Sequence, residues 1–572
     1  MKRSEPDNIE NIINNFIQQF EQKVPTKEEE RSDFCYNLSN TCKTLAMEMS
    51  NDLSVVLVKR GLMEMIYKLL LKDDIKLDLH ADLYFLIHAM YQDNNKTIEK
   101  QSKLLTLMMN QMSHMIDIKE NMKEDVHLLE NIINVLIDFC EYSPEYLANI
   151  TTSPLLIHLI NLLNPTEEPY SIPINVSRLL VVLTDDNQLC VELLTQKIPQ
   201  YYDILTKLCD SKLPDSMKIC YATILHNIHP VIHKTLPIIL PIIMRTIDCS
   251  IIEQYETIKT QLETHSIQTK QNNKENEEDE LNTDIFVKTS NELKTIITKI
   301  KALKMGIELL TNITTFDDEP NPVIKKNIEE SKIPEILVKI IQHPINKTES
   351  LIVSIIETTF SALNNVLLIL DNSYQIEING THSTLAQILF PLLSQYIKKN
   401  SMANLNTIEH ALLDGSLMCY HRLLLKGNNE TEKSQYTIMW ELTRKYQQYT
   451  PLQCQSELPT IINLCYILSV IGKEEKAPLR SIALFVKNML SIKLEETTEI
   501  LYDAVLNIVL DLFAEENTNE ILKSTGLYKT IKEHYKSFIS YTLEHIREDD
   551  TSLEDVINNL ERYIDYKTKQ GL

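Results

Sequence analysis

Glycine is scarce: 8 residues in 572, about 1.4 %, against an average near 7 %. Dinucleotide folds and phosphate-binding loops need glycine turns under the phosphate, and barrels need glycine at their corners, so these classes are disfavoured. Aromatic residues make up 6 %, with one tryptophan, Trp440. No GxSxG, Walker A, kinase, GxGxxG or HExxH pattern occurs, which leaves no catalytic motif to build on. No CxxC pair is present among the 10 cysteines. Most of them sit in apolar helical stretches such as Ile137-Asp138-Phe139-Cys140, as reduced, buried thiols do. The longest nearly unbroken apolar run, around Leu236–Met244, falls short of a membrane span. The opening residues Met1-Lys2-Arg3-Ser4-Glu5-Pro6-Asp7 lack an apolar core, so no secretory signal is expected. Asn149-Ile150-Thr151 then reads as an accident of an Asn- and Thr-rich chain, and the expected location is cytoplasm and nucleus.

Positive charge is also in deficit. Lys and Arg number 56 against 80 Asp and Glu, a net charge of −24. A surface of that sign repels nucleic-acid phosphate and anionic membranes and favours basic partners. The competing reading is charge carried for solubility alone. Apolar residues reach 43 %, enough for a large core. They recur at three and four residues almost everywhere: in Val126–Cys140 the apolar positions 128, 129, 132, 133, 135, 136 and 139 follow that spacing, the mark of a helix with one buried face. Breaks such as Ser143-Pro144, Asn164-Pro165, Leu213-Pro214 and Glu319-Pro320-Asn321-Pro322 place capping residues or proline at helix starts. Alternation of period two is absent, so the chain reads as all-α.

A local pattern returns along it: an aliphatic residue, any residue, a polar residue, an apolar one. It appears as Leu38-Ser39-Asn40-Thr41, Leu86-Ile87-His88-Ala89, Leu136-Ile137-Asp138-Phe139, Leu180-Val181-Val182-Leu183, Leu225-His226-Asn227-Ile228, Leu310-Thr311-Asn312-Ile313 and Leu363-Asn364-Asn365-Val366. The spacing is roughly 40–50 residues, with one step near twice that, as armadillo and HEAT repeats give. The long step contains Thr269–Glu280, a polar run that cannot bury enough surface to fold by itself. The expected organisation is an N-terminal tail at 1–33 with a loose helix near Asn8–Gln22, armadillo-like repeats at 34–263, an acidic disordered loop at 264–292, and HEAT-like repeats at 293–572. The expected fold is a right-handed α-solenoid.

Three groups of residues are candidates for chemistry. His226, His229 and His233 have helical spacing, but Pro230 ends the helix and no Cys or carboxylate completes a metal set, so ordinary repeat histidines are favoured and no metal or cofactor is expected. The acid pairs Asp185-Asp186 and Asp317-Asp318-Glu319 lie between helices, where carboxylates cap helix starts rather than catalyse. In an armadillo groove, a polar-slot asparagine amide both donates to and accepts from the backbone of an extended peptide. His88, Asp138, Asn227 and Asn312 are the groove candidates on that ground. The alternative is that these side chains bond only neighbouring turns of the stack. Glu275, Glu277, Glu278, Asp279, Glu280 and Asp284 are candidates for diffuse contact with basic cargo, against a solvated tether.

Several stretches, in order, resemble the symportins. Glu130–Glu141 is similar to that family's Asn-Val-Leu-Trp-Asn-Ile-Cys-Glu helix, and Val182–Asn187 to its Thr-Val-Thr-Glu-Asp-Asn. Lys301–Ile313 resembles its helix after the acidic insertion, Ala504–Ala514 its Leu-Phe-Asp-Val-Phe-Ala, and Leu553–Lys567 its closing Arg-Phe-Ile-x-Tyr helix. The resemblance implies a non-enzymatic carrier of the large-subunit ribosomal proteins five and eleven, taken to the nucleus for 5S ribonucleoprotein assembly with an importin of the transportin type. It also implies that the armadillo half holds the extended basic N-terminus of protein five, and that the acidic insertion and C-terminal half serve protein eleven. Tryptophan–asparagine pairs of the family's groove are replaced here by Ile137-Asp138 and His226-Asn227. No Pro-Tyr import signal follows Lys2-Arg3 within residues 1–33. A rival reading is an armadillo-type exchange or dissociation stimulator gripping a GTPase.

Overall fold

The computed structural model describes residues 6–47, 49–72, 74–93, 101–117, 126–163, 171–198, 200–228, 232–272, 279–315, 322–342, 350–370, 374–378, 381–397, 407–425, 433–446, 458–474, 479–491, 499–545 and 551–572. The described residues are almost wholly helical. An exception to the expectation of pure helix is a short antiparallel hairpin, Ile376–Ile378 paired with Thr381–Ser383, with Glu377 opposite His382.

The expected start signals operate. Ser143 accepts from Tyr146 N at 3.5 Å with Pro144 in the first turn, and Asn187 accepts from Cys190 N at 3.2 Å. Each satisfies an amide that the helix itself leaves unpaired. Pro322 opens the helix Pro322–Glu330, where its missing N–H costs nothing.

The chain divides into two units: Met1–Thr246 with Ile297–Met305, and Ile247–Ile296 with Gly306–Leu572. This differs from the expected division at 263/264. The boundary falls at the end of the proline-bearing helix Ile232–Thr246.

In the first unit, long helices stack in series like rungs: Glu28–Met47, Leu77–Asp93, Val126–Tyr142, Ser171–Thr184 and Asp215–Ile228. Each inner rung touches the rung before and the rung after, so an apolar stripe along one side does not suffice. All seven apolar positions expected from the period in Val126–Tyr142 are buried, and Ile137 and Cys140 are buried as well. The N-terminal helix, Pro6–Glu21, is not a loose tail: Ile13 and Phe20 are each 4 % exposed, and the helix packs on Leu62–Leu70.

The second unit repeats the design with Ser350–Ile369, Thr407–Leu425, Leu458–Glu474, Glu499–Leu512 and the closing helix Thr551–Lys569. Each unit is thus an α-solenoid in its own right. Two stretches, Lys234–Leu262 and Leu351–Ile369, are long and apolar enough to cross a membrane by length and composition, contrary to the expectation from the longest apolar run; 50 % and 61 % of their apolar windows are buried inside the protein.

The segment 264–292, expected as disordered, is helical wherever it is described: the helices Ser250–Asn272 and Asp279–Ile313 cover 264–272 and 279–292. Glu, Gln and Lys are strong helix formers even where they bury nothing, and Asp279 and Glu280 stand at a helix start that favours negative charge.

Candidate functional site

The polar slot of the repeat reaches a neighbouring rung at His88, Asp138, Asn227 and Asn365. His88 Nδ1 and Asp138 Oδ2 meet at 2.6 Å across the second and third rungs, both half-buried. Burial pushes the Asp138 carboxyl above its ordinary value; the His88 hydrogen bond and charge, then the charges of Lys301 and Arg178, pull it back. Beneath the pair the Tyr91, Phe139 and Tyr146 rings pack in sequence, with centroids 5.5 and 5.1 Å apart. Asn227 donates from Nδ2 to Thr184 Oγ1 on the preceding rung at 3.2 Å. Asn365 occupies the same slot in the second unit and donates from Nδ2 to Thr311 O at 3.2 Å and Thr315 Oγ1 at 3.0 Å. Asn312 is exposed beside that acceptor.

The structure therefore joins two of the four groove candidates to each other. It ties a third, Asn227, to the adjacent rung and leaves Asn312 on the surface of the second unit. Seam bonding by asparagine is more general than the slot suggested. Asn131 donates to Ala81 O at 2.9 Å and Asn463 to Asp414 O at 3.4 Å. Both fall outside the four-residue pattern, but they lie one repeat length from their acceptors, the only signal that could have found them.

Of the acidic candidates, Glu275, Glu277 and Glu278 lie outside the described residues. Asp279, Glu280 and Asp284 stand in the first turns of the helix Asp279–Ile313. Among the histidines, His226 lies at the end of its helix, and burial lowers its pKa, so it is held neutral. His229 and the side chain of His233 lie outside what is described. Among the described residues no group of three His, Cys, Asp or Glu side chains is placed to hold a metal ion. Asp185 and Asp186 lie in the turn before the helix Gln188–Lys197, with Asp186 at φ 46°, a conformation that a short polar side chain tolerates. The amide of Cys190 in the first turn of that helix is capped by Asn187 rather than by either acid. Asp317, Asp318 and Glu319 lie outside the described residues.

One concavity was not legible in the sequence. In the first unit, residues of the third, fourth and fifth rungs and of the run 297–305 enclose a cavity of about 190 Å³. Its polar lining is Asn134, Asn175, Arg178, Ser216, Thr298 and Lys301. Burial and the Arg178 charge lower the Lys301 pKa to about 8, with Asp138 and Glu141 acting the other way.

Comparison with known proteins bears on the second unit above all. Residues 319–571 match the family described as SYO1-like, TPR repeats, in agreement with the symportin resemblance. The match falls within the region where HEAT-like repeats were expected; HEAT and TPR repeats are both stacked helical hairpins. No curated protein matches. Among solved structures, importin beta in a polyethylene glycol condition is 10 % identical and has a TM-score of 0.43, with 97 % of this chain and 60 % of that one covered. A structure titled for a phosphorylation switch between cadherin and beta-catenin is 11 % identical, TM-score 0.37, with 99 % and 93 % covered. The SYS-1/POP-1 complex is 11 % identical, TM-score 0.36, with 98 % and 82 % covered.

Proposed function

We propose that this chain, symportin-like over residues 319–571, is a non-enzymatic carrier that binds basic ribosomal proteins. The proposed clients are the large-subunit proteins five and eleven, shielded on the way to the nucleus and delivered for 5S ribonucleoprotein assembly. The observation that carries the reading is the family match in a chain of net charge −24. An unassembled ribosomal protein exposes lysine- and arginine-rich surface that its RNA will later cover. An acidic carrier raises the encounter rate with such a client and keeps it from other polyanions. The work is done by surface complementarity, and no bond-making step is needed.

His88 and Asp138 on the seam of the second and third rungs, and Asn227 on that of the fourth and fifth, are the residues proposed for an extended basic segment. Glu275, Glu277, Glu278, Asp279, Glu280 and Asp284 supply diffuse attraction for the second client, and Asn312 is a proposed contact in the second unit. An importin of the transportin type would complete the assembly.

The test is reconstitution. Purified full-length chain is mixed with ribosomal proteins five and eleven and resolved by size-exclusion chromatography with mass measurement. The reading predicts a complex containing both clients. Failure to bind either, or acceleration of nucleotide release from a GTPase offered in parallel, overturns it, the latter in favour of the exchange-stimulator reading.

A further inference from the structure

The Arg178–Lys301 cavity is chemically out of character with the rest of an acidic protein. Two cationic side chains are set into one concavity whose other polar residues are amides and hydroxyls: Asn134, Asn175, Ser216 and Thr298. All of these carry N–H or O–H donors, and the Arg fork matches the spacing of two oxygens on one acid group. Neither cation takes part in an ion pair among the described residues. The nearest acids are already engaged or exposed: Asp138 is bonded to His88 at 2.6 Å, and Glu141 stands on the exposed side of its helix. Cations brought together and partly dried without a bonded acid repel each other, and an incoming anion relieves that repulsion.

We propose that the Arg178–Lys301 cavity is a binding site for a small oxyanion, a carboxylate or a phosphate group. Arg178 takes two oxygens in its fork, Lys301 closes from the run 297–305, and the Asn134 and Asn175 amides and the Ser216 and Thr298 hydroxyls complete the shell. The volume of about 190 Å³ admits one such group and excludes a folded partner. The two sources with this chemistry are a free ion and an acidic group of a protein client.

Binding is tied to the charge on Lys301. The groups facing it are Arg178 on the fourth rung and Asp138 and Glu141 on the third, with Ser216 and Cys220 on the fifth rung lining the same cavity. Burial holds the Cys220 thiol protonated. Lys301, with its pKa lowered to about 8, is therefore the group that changes charge just above neutrality, and affinity falls as pH rises through that value.

The experiment uses the full-length chain and inorganic phosphate, acetate and a glutamate-bearing peptide as probes, each against chloride at equal ionic strength. Thermal midpoint and calorimetric titration are read at pH 7 and pH 9. The expected result is a midpoint rise with phosphate or acetate, a weaker effect at pH 9, and about tenfold weaker binding in both Arg178→Gln and Lys301→Gln, with Arg178→Lys intermediate. Tight binding of the peptide alone assigns the site to a protein client's acidic group; equal binding of the free ions assigns it to a soluble anion. No midpoint rise with any of the three probes over chloride, or equal response in wild type and the Lys301→Gln variant, overturns the proposal. Should Arg178→Gln fail to fold by circular dichroism, the Lys301→Gln and pH arms still decide.

Discussion

The two units solve one problem, holding helices in series, with different chemistry at the seams. In the first, ionisable groups join successive rungs: Lys43 Nζ lies 3.2 Å from Asp82 Oδ2, and His88 Nδ1 lies 2.6 Å from Asp138 Oδ2. In the second, the seams run largely through neutral donors and close apolar contact. Asn365 and Asn463 reach backbone oxygens, and Arg422 Nε reaches Asn364 Oδ1 at 3.4 Å. Gly415 lies against Phe360 so closely that a β-carbon there would sit 2.7 Å from Phe360 Cβ and overlap its ring. Two buried histidines of the second unit are held uncharged, and a buried lysine is bonded. Burial lowers His421 and His534 to about 4. Lys567, fully buried, donates to Glu515 O at 2.7 Å and Asn519 Oδ1 at 2.8 Å. The first unit keeps charge where a client could use it; the second spends its polar groups on closure.

The largest expected effect tests the tight crossing. Gly415→Ala should destabilise the second unit by about 3 kcal/mol through overpacking, and adding it to a Phe360→Ala chain, where the atoms beyond Cβ are gone, should cost less than adding it to the wild type. Hydrogen exchange resolved by mass spectrometry reads each unit separately, and unchanged protection of 407–425 would contradict the packing described. Next is Lys567→Met, which removes the ammonium that ties the closing helix to Glu515 O and Asn519 Oδ1 and should cost about 1–3 kcal/mol in denaturant unfolding, with Lys567→Arg recovering little. A cost near zero would mean that the closing helix is held by its apolar face alone.

Smaller, and of opposite character, is His88→Gln. It removes the hydrogen-bond partner of the half-buried Asp138 carboxyl, costs about 1 kcal/mol, and lets that carboxyl titrate at higher pH. Acidification acts by a separate route, and its effect is small near neutrality and grows as pH falls. His421 and His534 have folded pKa values below their ordinary ones, so the unfolded chain binds more protons between about 4 and the ordinary value of 6.5. The stability they contribute is present above 6.5 and is lost as pH falls toward 4. His421→Phe, which keeps the stack on Tyr466 at 5.4 Å, should flatten that dependence in the second unit and leave the first unchanged.

The contrast also explains what was legible in the sequence. Helical period and repeat spacing are written locally, so the rungs, their caps and the polar slot could be read from single segments. The polar run near 264–292 misled because weak burial was taken for absence of structure, whereas its residues are intrinsically good helix formers. The Ile376–Ser383 hairpin is too short to show alternation against a helical background. Arg178 and Lys301 lie far apart in the chain, and only stacking brings them to one cavity. Gly415 is one of 8 glycines, and nothing nearby announces the ring that requires it.

The account stands or falls on electrostatic capture of a basic client. Its most direct test is the dissociation constant of ribosomal protein five for the full-length chain, measured by calorimetry across a salt series. The account predicts measurable affinity at low salt that weakens steadily as charges are screened. Affinity indifferent to salt, or no binding at the lowest ionic strength, would contradict it.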